Sequence, residues 1–207
     1  MTRLVIFARA PVPGACKTRL IPALGPEGAA QLHAAMVERA LQTALASGLG
    51  PVELHGAPDT AHPFFQGLKA SLPLTLVPQI QGDLGQRMQA AFASAHGPTL
   101  LIGTDAPCIT PAHLRACAVA LAEGHDAVFL PAEDGGYGLV GLAKPCPEIF
   151  ENMPWSTAKV MAETRSRLRA LGRSCHEPAT IWDVDEPADL VRLQQSGLMS
   201  FAPTPSA

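Results

Sequence analysis

Short apolar runs alternate along the chain with stretches whose apolar residues recur every three or four positions, and this alternation is the strongest constraint on the fold. Residues 3–8 are a largely apolar run, the mark of a strand buried on both faces, and they lead into a loop dense in proline and glycine. Residues 26–47 then carry Leu32, Met36, Val37, Ala40, Leu41, Ala44 and Leu45 at helical spacing, with Glu38, Arg39 and Gln42 opposite. The same reading predicts strands over 51–56, 72–77, 99–103, 126–130, 138–143 and 174–177. It predicts helices over 83–96, from the Thr110-Pro111 cap to Gly124, over 156–171 and over 187–195, with a helical turn near 62–68. Two successive strands, 126–130 and 138–143, lack a helix between them and imply an antiparallel excursion in a mostly parallel sheet. The expected architecture is a single three-layer, Rossmann-like α/β domain over 1–200, followed by a frayed tail over 201–207.

Composition narrows the function classes. The 207 residues include 15 Lys+Arg against 18 Asp+Glu, a formal charge of −3, and are 47% hydrophobic. That apolar content opposes disorder, and the absence of a basic block removes the footprint of a nucleic-acid binder. No stretch approaches the roughly 18 apolar residues of a membrane span, and residues 4–8 are too short for a secretory core. Cys16, Cys108, Cys117, Cys146 and Cys175 are odd in number and form no C-x-x-C pair, which argues for a reduced, cytoplasmic chain with cysteines as small core residues. The histidines show no metal-ligand spacing, and no G-x-S-x-G elbow is present. A small neutral or anionic ligand remains.

In an α/β sheet, ligands bind beyond the carboxyl ends of the strands, so three segments carry the candidates. The loop after the first strand holds Arg9, Gly14, Lys17, Thr18 and Arg19, where glycine permits close backbone approach and the cations can neutralise phosphate oxygens. Cys16 stands where a Walker A loop needs glycine, so the loop is not a P-loop. A solvated basic loop is an equal reading on residue type alone; position favours phosphate. Thr104 and Asp105 follow the strand at 99–103, and Asp183-Val-Asp185 precedes the last helix. Magnesium takes one or two protein carboxylates and completes its shell with water and phosphates, so Asp105 with Asp185 or Asp183 would suffice. Taken singly, Asp105 reads equally as an Asx-turn and Asp185 as a helix cap.

Gln81-Gly-Asp-Leu-Gly-Gln-Arg87 enters a helix, with Asp83 as its cap and Arg87 available to a ligand. Gly136-Tyr-Gly138-Leu-Val-Gly141 satisfies G-x-G-x-x-G, but strand follows the glycines where a dinucleotide fingerprint needs helix. A tight turn presenting Asp134 and Tyr137 fits better. Ser156 can cap the helix after it, with Trp155 and Val160 as a hydrophobic staple.

The set Phe7-Ala-Arg-Ala-Pro-Val-Pro-Gly14, Lys17-Thr-Arg-Leu20, Gly82-Asp-Leu-Gly-Gln-Arg-Met88, Gly103-Thr-Asp-Ala-Pro107, Asp134-Gly-Gly-Tyr137, Trp155-Ser-Thr157 and Asp183-Val-Asp-Glu-Pro-Ala-Asp-Leu190 resembles the rSAM/selenodomain-associated transferase 1 family. That family is itself similar to phospholactate guanylyltransferases and the molybdenum-cofactor guanylyltransferase. The resemblance implies a GT-A, nucleotide-diphospho-sugar transferase fold and Mg²⁺ or Mn²⁺ as cofactor. It places Lys17 and Arg19 on phosphates, Asp105 on the metal, Asp185 as second ligand and Asp183 in reserve. Asp134, Gly135, Gly136, Tyr137 and Trp155 would face a small-molecule acceptor. Glu186 and Ala188 depart from the family pattern. The expected activity is metal-dependent transfer of a glycosyl group from a nucleotide-sugar, with Asp105, Lys17 and Asp134 catalytic and Asp134 or Glu133 acting on the acceptor hydroxyl. Nucleotidyl transfer from a nucleoside triphosphate and a non-catalytic nucleotide-binding module are the alternatives. Oligomeric state leaves no mark in the sequence.

Overall fold

The computed structural model describes residues 1–199; the expected tail at 201–207 lies outside the described residues. Seven strands form one sheet in the order β3-β2-β1-β4-β6-β5-β7. They are β1 (Arg3–Arg9), β2 (Val52–Ala57), β3 (Thr75–Pro78), β4 (Thr99–Ile102), β5 (Ala127–Pro131), β6 (Tyr137–Leu142) and β7 (Cys175–His176). The helices are α1 (Ile21–Ser47), α2 (Pro63–Ser71), α3 (Leu84–Ala93), α4 (Pro111–Ala122), α5 (Val160–Ala170) and α6 (Pro187–Ser196). β1 pairs in parallel with β2 and β4, whereas β6 runs antiparallel to both β4 and β5. The predicted excursion is therefore β6 inserted between β4 and β5.

Both faces of the sheet are covered, which is why its central strands are apolar at successive positions. Leu4 and Ile6 of β1 point with Leu100, Ile102 and Val128 into a core closed by α1, α2 and α4. Val5, Leu101, Phe129 and Val140 point the other way, against Met88 and Phe92 of α3 and Met161 and Leu168 of α5. A third cluster fastens α6 to the start of α1 through Leu20, Leu24, Leu32, Val184, Leu190 and Leu193. Among the described residues no helix is long and apolar enough to cross a membrane.

Several element ends differ from expectation for local reasons. Helix α1 begins at Ile21, because a turn precedes a kink at Gly25 (φ 69°) and the segment predicted from residue 26 restarts at Pro26. Strand β3 starts at Thr75, since Leu72 closes α2 by donating its N–H to Leu68 O and then packs on the first core with Leu74. The strand expected over 174–177 pairs only at Cys175 and His176. Ser156 does not cap α5: it adopts φ 61°, and the helix starts at Val160. Thr157 accounts for the delay, its hydroxyl donating to Pro154 O at 2.8 Å and accepting from Lys159 N at 3.4 Å, a local turn that competes with helix. Asp83 does cap α3, in a box with Gln86.

Two of the G-x-G-x-x-G glycines, Gly138 and Gly141, serve packing. A Cβ on Gly138 would overlap Ile181, and one on Gly141 would overlap Leu100 and Val128 inside the sheet. Gly141→Ala is expected to destabilise the protein by about 1–3 kcal/mol through overpacking, read as a lower urea midpoint at unchanged m-value.

Candidate active site

The ends of β1 and β4 and the start of β6 open side by side, because Ile6 is in register with Ile102 and Ile102 with Leu139. Gly103 N donates to Gly138 O at 3.1 Å and prolongs that alignment by one rung. Three loops therefore meet at one edge of the sheet.

The loop leaving β1 is tied to the end of β2 by Ala10 N donating to Ala57 O at 2.8 Å and folded on itself by Ala15 N donating to Val12 O at 3.0 Å, with Gly14 at φ 78°. Lys17 itself takes a left-handed conformation, φ 47° and ψ 43°, which turns its side chain inward. The ammonium lies 2.6 Å from Asp105 Oδ1 and 3.8 Å from Asp185 Oδ1, and the Lys17 side chain is only 4% exposed. It also donates to Val184 O at 2.5 Å, while Val184 N donates to Asp105 O at 2.8 Å. Arg19 completes the group, 2.6 Å from Asp185 Oδ2 and 3.9 Å from Glu186 Oε1.

Asp185 is free for this because it does not cap α6. Glu186 takes the N-cap position that the sequence allowed Asp185, in a capping box whose N3 residue, Asp189, accepts at Oδ2 from Asp185 N at 3.0 Å and from Glu186 N at 2.8 Å. Asp183 forms no ion pair with the ammonium among the described residues: burial, then the charge of Asp134, raises its carboxyl above the usual range, against the lowering effect of Lys17. The 183–185 segment is irregular chain rather than a strand end, held by the parallel bridge of Ile181 to Ala132.

Beside these carboxylates is a cavity of about 310 Å³ whose walls include Arg9, His33, Arg87, Thr104, Asp105 and Tyr137. A second, of about 300 Å³, shares Arg9, Ala57, Gln79 and Arg87 with the first and extends along Val12 and Pro58. Thr104 is buried, whereas Thr18 is exposed in the turn after Lys17. Two wall residues escaped the sequence reading. His33 lies 5% exposed on the apolar stripe of α1, and its Nε2 donates to Arg9 O at 2.9 Å. Burial lowers its pKa, and Nδ1 has no partner among the described residues. Gln79 donates from Nε2 to His55 O at 2.8 Å and accepts at Oε1 from Arg87 at 3.3 Å. The available signal was a lone polar residue within each apolar pattern.

In the loop before β6, Asp134 Oδ1 accepts from Gly136 N at 2.8 Å, an Asx-turn, and Gly135 O accepts from Met161 N at 2.9 Å. A side chain on Gly135 would overlap the Ala158 carbonyl, so glycine alone lets this loop seat on α5. Tyr137 packs edge-on against Phe129 at 5.0 Å; its hydroxyl is buried without a partner among the described residues, and burial pushes its pKa up. Trp155 is half-buried among the second core's neighbours and does not line the first cavity. Glu133 is drawn to Arg192 by bonds of 2.6 and 2.9 Å, which lower its pKa.

Residues 40–157 match the DUF2064 family, described as an uncharacterized protein conserved in bacteria. The chain is 30% identical over 204 residues, 96% of its length and 98% of the relative's, to a phosphoenolpyruvate guanylyltransferase of Rubrobacter xylanophilus. It superposes with TM-score 0.84 and 29% identity on a putative nucleotide-diphospho-sugar transferase from Desulfovibrio desulfuricans G20, covering 94% of this chain and 87% of that one. A CMP:2-keto-3-deoxy-manno-octonic acid synthetase complexed with CTP shares the fold, at TM-score 0.61, 15% identity and coverage of 94% and 97%. The expected GT-A-like architecture is thus confirmed, and the chain has the fold and the relatives of a transferase.

Lys17→Met is expected to lower stability by about 1–3 kcal/mol, between the values for buried and exposed pairs, because Asp105 and Asp185 then face each other without a cation. Urea unfolding at pH 7 measures this. Because His33 has a lowered pKa in the folded state, the unfolded chain binds the proton more readily, and stability falls as pH drops through about 6.5. His33→Gln is expected to flatten the stability profile between about pH 7 and 5, measured by thermal unfolding in matched buffers.

Proposed function

We propose that this chain, which belongs to the DUF2064 family, transfers a nucleotidyl group from a nucleoside triphosphate to a small phosphorylated acceptor, releasing pyrophosphate. Within the family we assign it to the rSAM/selenodomain-associated group whose motifs it resembles. The observation that carries the reading is the meeting of Lys17, Arg19, Asp105 and Asp185 beside a cavity at the sheet's carboxyl edge. The guanylyltransferase relative, similar over nearly the whole chain, favours nucleotidyl transfer over the glycosyl transfer expected from the sequence.

The acidic residues suit a hard divalent cation. Their donors are carboxylate oxygens, and Asp105, 57% exposed, keeps its second oxygen outside the ion pair with Lys17. Among the described residues no three His, Cys, Asp or Glu side chains form a cage, which matches an ion that retains waters and takes its remaining ligands from phosphates. Asp105 and Asp185 would hold Mg²⁺ or Mn²⁺, and the ion would supply further neutralisation of phosphate charge. Lys17 and Arg19 bind the triphosphate and stabilise charge that grows on the leaving pyrophosphate. An acceptor oxygen attacks the α-phosphorus as the bond to the bridging oxygen breaks, while Asp134 at the rim orients the acceptor. A nucleoside triphosphate donor places the reaction in the cytoplasm.

The similarity to the Desulfovibrio protein favours a second reading, with a nucleotide-sugar as donor and a nucleoside diphosphate as product. The bond broken separates the two. Incubated with Mg²⁺, GTP and phosphoenolpyruvate or a related phosphorylated acid, the protein is expected to release pyrophosphate in a coupled phosphate assay. Asp105→Asn is expected to reduce the rate by about 10²–10³-fold while melting normally. Nucleoside diphosphate release from nucleotide-sugars, with no pyrophosphate from triphosphates, would transfer the assignment to glycosyl transfer; binding without any product would make the chain a nucleotide-binding module.

A further inference from the structure

The cavity that extends away from the carboxylates differs in chemistry from the phosphate end. Lys17 and Arg19 have their charge balanced by Asp105, Asp185 and Glu186. Arg9 and Arg87 line both cavities and have no carboxylate partner among the described residues. The outer cavity also presents Val12, Ala15, Pro58 and Ile80, apolar walls against which a flat ring can lie, and no acidic side chain lines it.

Its polar groups are arranged to donate. Gln79 cannot offer its carbonyl oxygen freely: Nε2 donates to His55 O at 2.8 Å and to Ala8 O at 3.4 Å, which fixes the amide orientation, and Oε1 is occupied by Arg87. Arg87 donates from Nε to Gly82 O at 2.9 Å and from Nη1 to Gln79 at 3.3 Å. Two of the five N–H groups of the guanidinium are thereby used, leaving three on a fork braced from two sides. A braced fork loses little freedom when it meets a ligand with two adjacent acceptors.

We propose that this outer cavity seats the nucleobase and that Arg87 selects guanine by donating to its O6 and N7. The proposal rests on the nucleotide-donor reading above and assigns which edge of the base the site reads. With the triphosphate at Lys17 and Asp105, the base extends into the space shared by Arg9, Gln79 and Arg87. Guanine and hypoxanthine offer O6 and N7 side by side. Adenine places an amino group beside N7, which would face a donor with a donor and leave the fork unpaired. Cytosine presents an amino group likewise, and uracil offers one carbonyl without the adjacent ring nitrogen.

Calorimetric titration of the intact protein with GTP, ITP, ATP, UTP and inorganic triphosphate, in Mg²⁺ buffer, tests this. GTP and ITP are expected to bind within about threefold of each other, since ITP lacks only the 2-amino group, and about 10–100-fold more tightly than ATP. Arg87→Gln and Arg87→Lys are expected to bring GTP down to the ATP level while leaving ATP and triphosphate within about twofold; the lysine keeps the charge but loses the fork. Equal weakening of every nucleotide and of triphosphate would overturn the proposal, because Arg87 would then hold phosphate. ITP binding like ATP would also overturn it, since the 2-amino edge would be the one read. Failure of every nucleotide to bind would overturn the donor reading itself, a result distinct from binding without discrimination.

Discussion

An ammonium withdrawn from water must be matched by opposite charge or it becomes a liability of several kcal/mol, and Lys17 is withdrawn almost completely. The lysine sits in the loop after β1 and its partners arrive from two other places: Asp105 from the loop after β4, and Asp185 and the Val184 carbonyl from the segment before α6. One cation therefore fixes the relative position of chain segments that sequence separates by 88 and 168 residues. The reciprocal bond from Val184 N to Asp105 O closes the ring, so the two carboxylates are held together by backbone as well as by charge. Under the proposed function the same convergence would serve phosphate, because the cations are already held in place before a ligand arrives.

The acidic stretch near the C-terminus works by dividing its labour. Glu186 is the N-cap of α6 and Asp189 completes its capping box by accepting two backbone N–H groups, Asp185 pairs with the basic loop, and Asp183 sits half-buried beside Asp134. Were Asp185 the cap, its oxygens would point along the helix axis and Arg19 would lose its partner. The third core cluster, in which Val184 and Leu190 pack on Leu20 and Leu32, holds this segment against α1 so that the division persists.

The layered architecture and the inserted antiparallel strand were legible because each is a matter of local periodicity, whereas the packing that requires Gly138 and Gly141 depends on Ile181, Leu100 and Val128, which only the folded sheet brings beside them. The pairing of Asp105 with Lys17 was legible only as a possibility, since the strand-end rule says which loops share an edge but not which side chains meet. His33 was hidden within an apolar helical stripe, where a histidine reads as core. Gln79 was hidden for another reason: its function depends on the His55 and Ala8 carbonyls, which reach it only after β2 lies between β1 and β3. The start of α5 was misplaced because Ser156 is a good cap by type, whereas Thr157 forms a tighter turn with Pro154.

The margins of the sheet carry a consequence for how the chain behaves among its own copies. β3 spans four residues and ends on Pro78, and β7 at the far side spans two. A strand's outer row of free N–H and C=O groups is a template on which another chain can add, and its length sets how firmly a stranger can hold. Here the two rims together offer only a few such rungs, one of them lacking an N–H at proline. A molecule whose interior strands are strongly apolar is thereby denied the lateral growth that leads to fibrous aggregates.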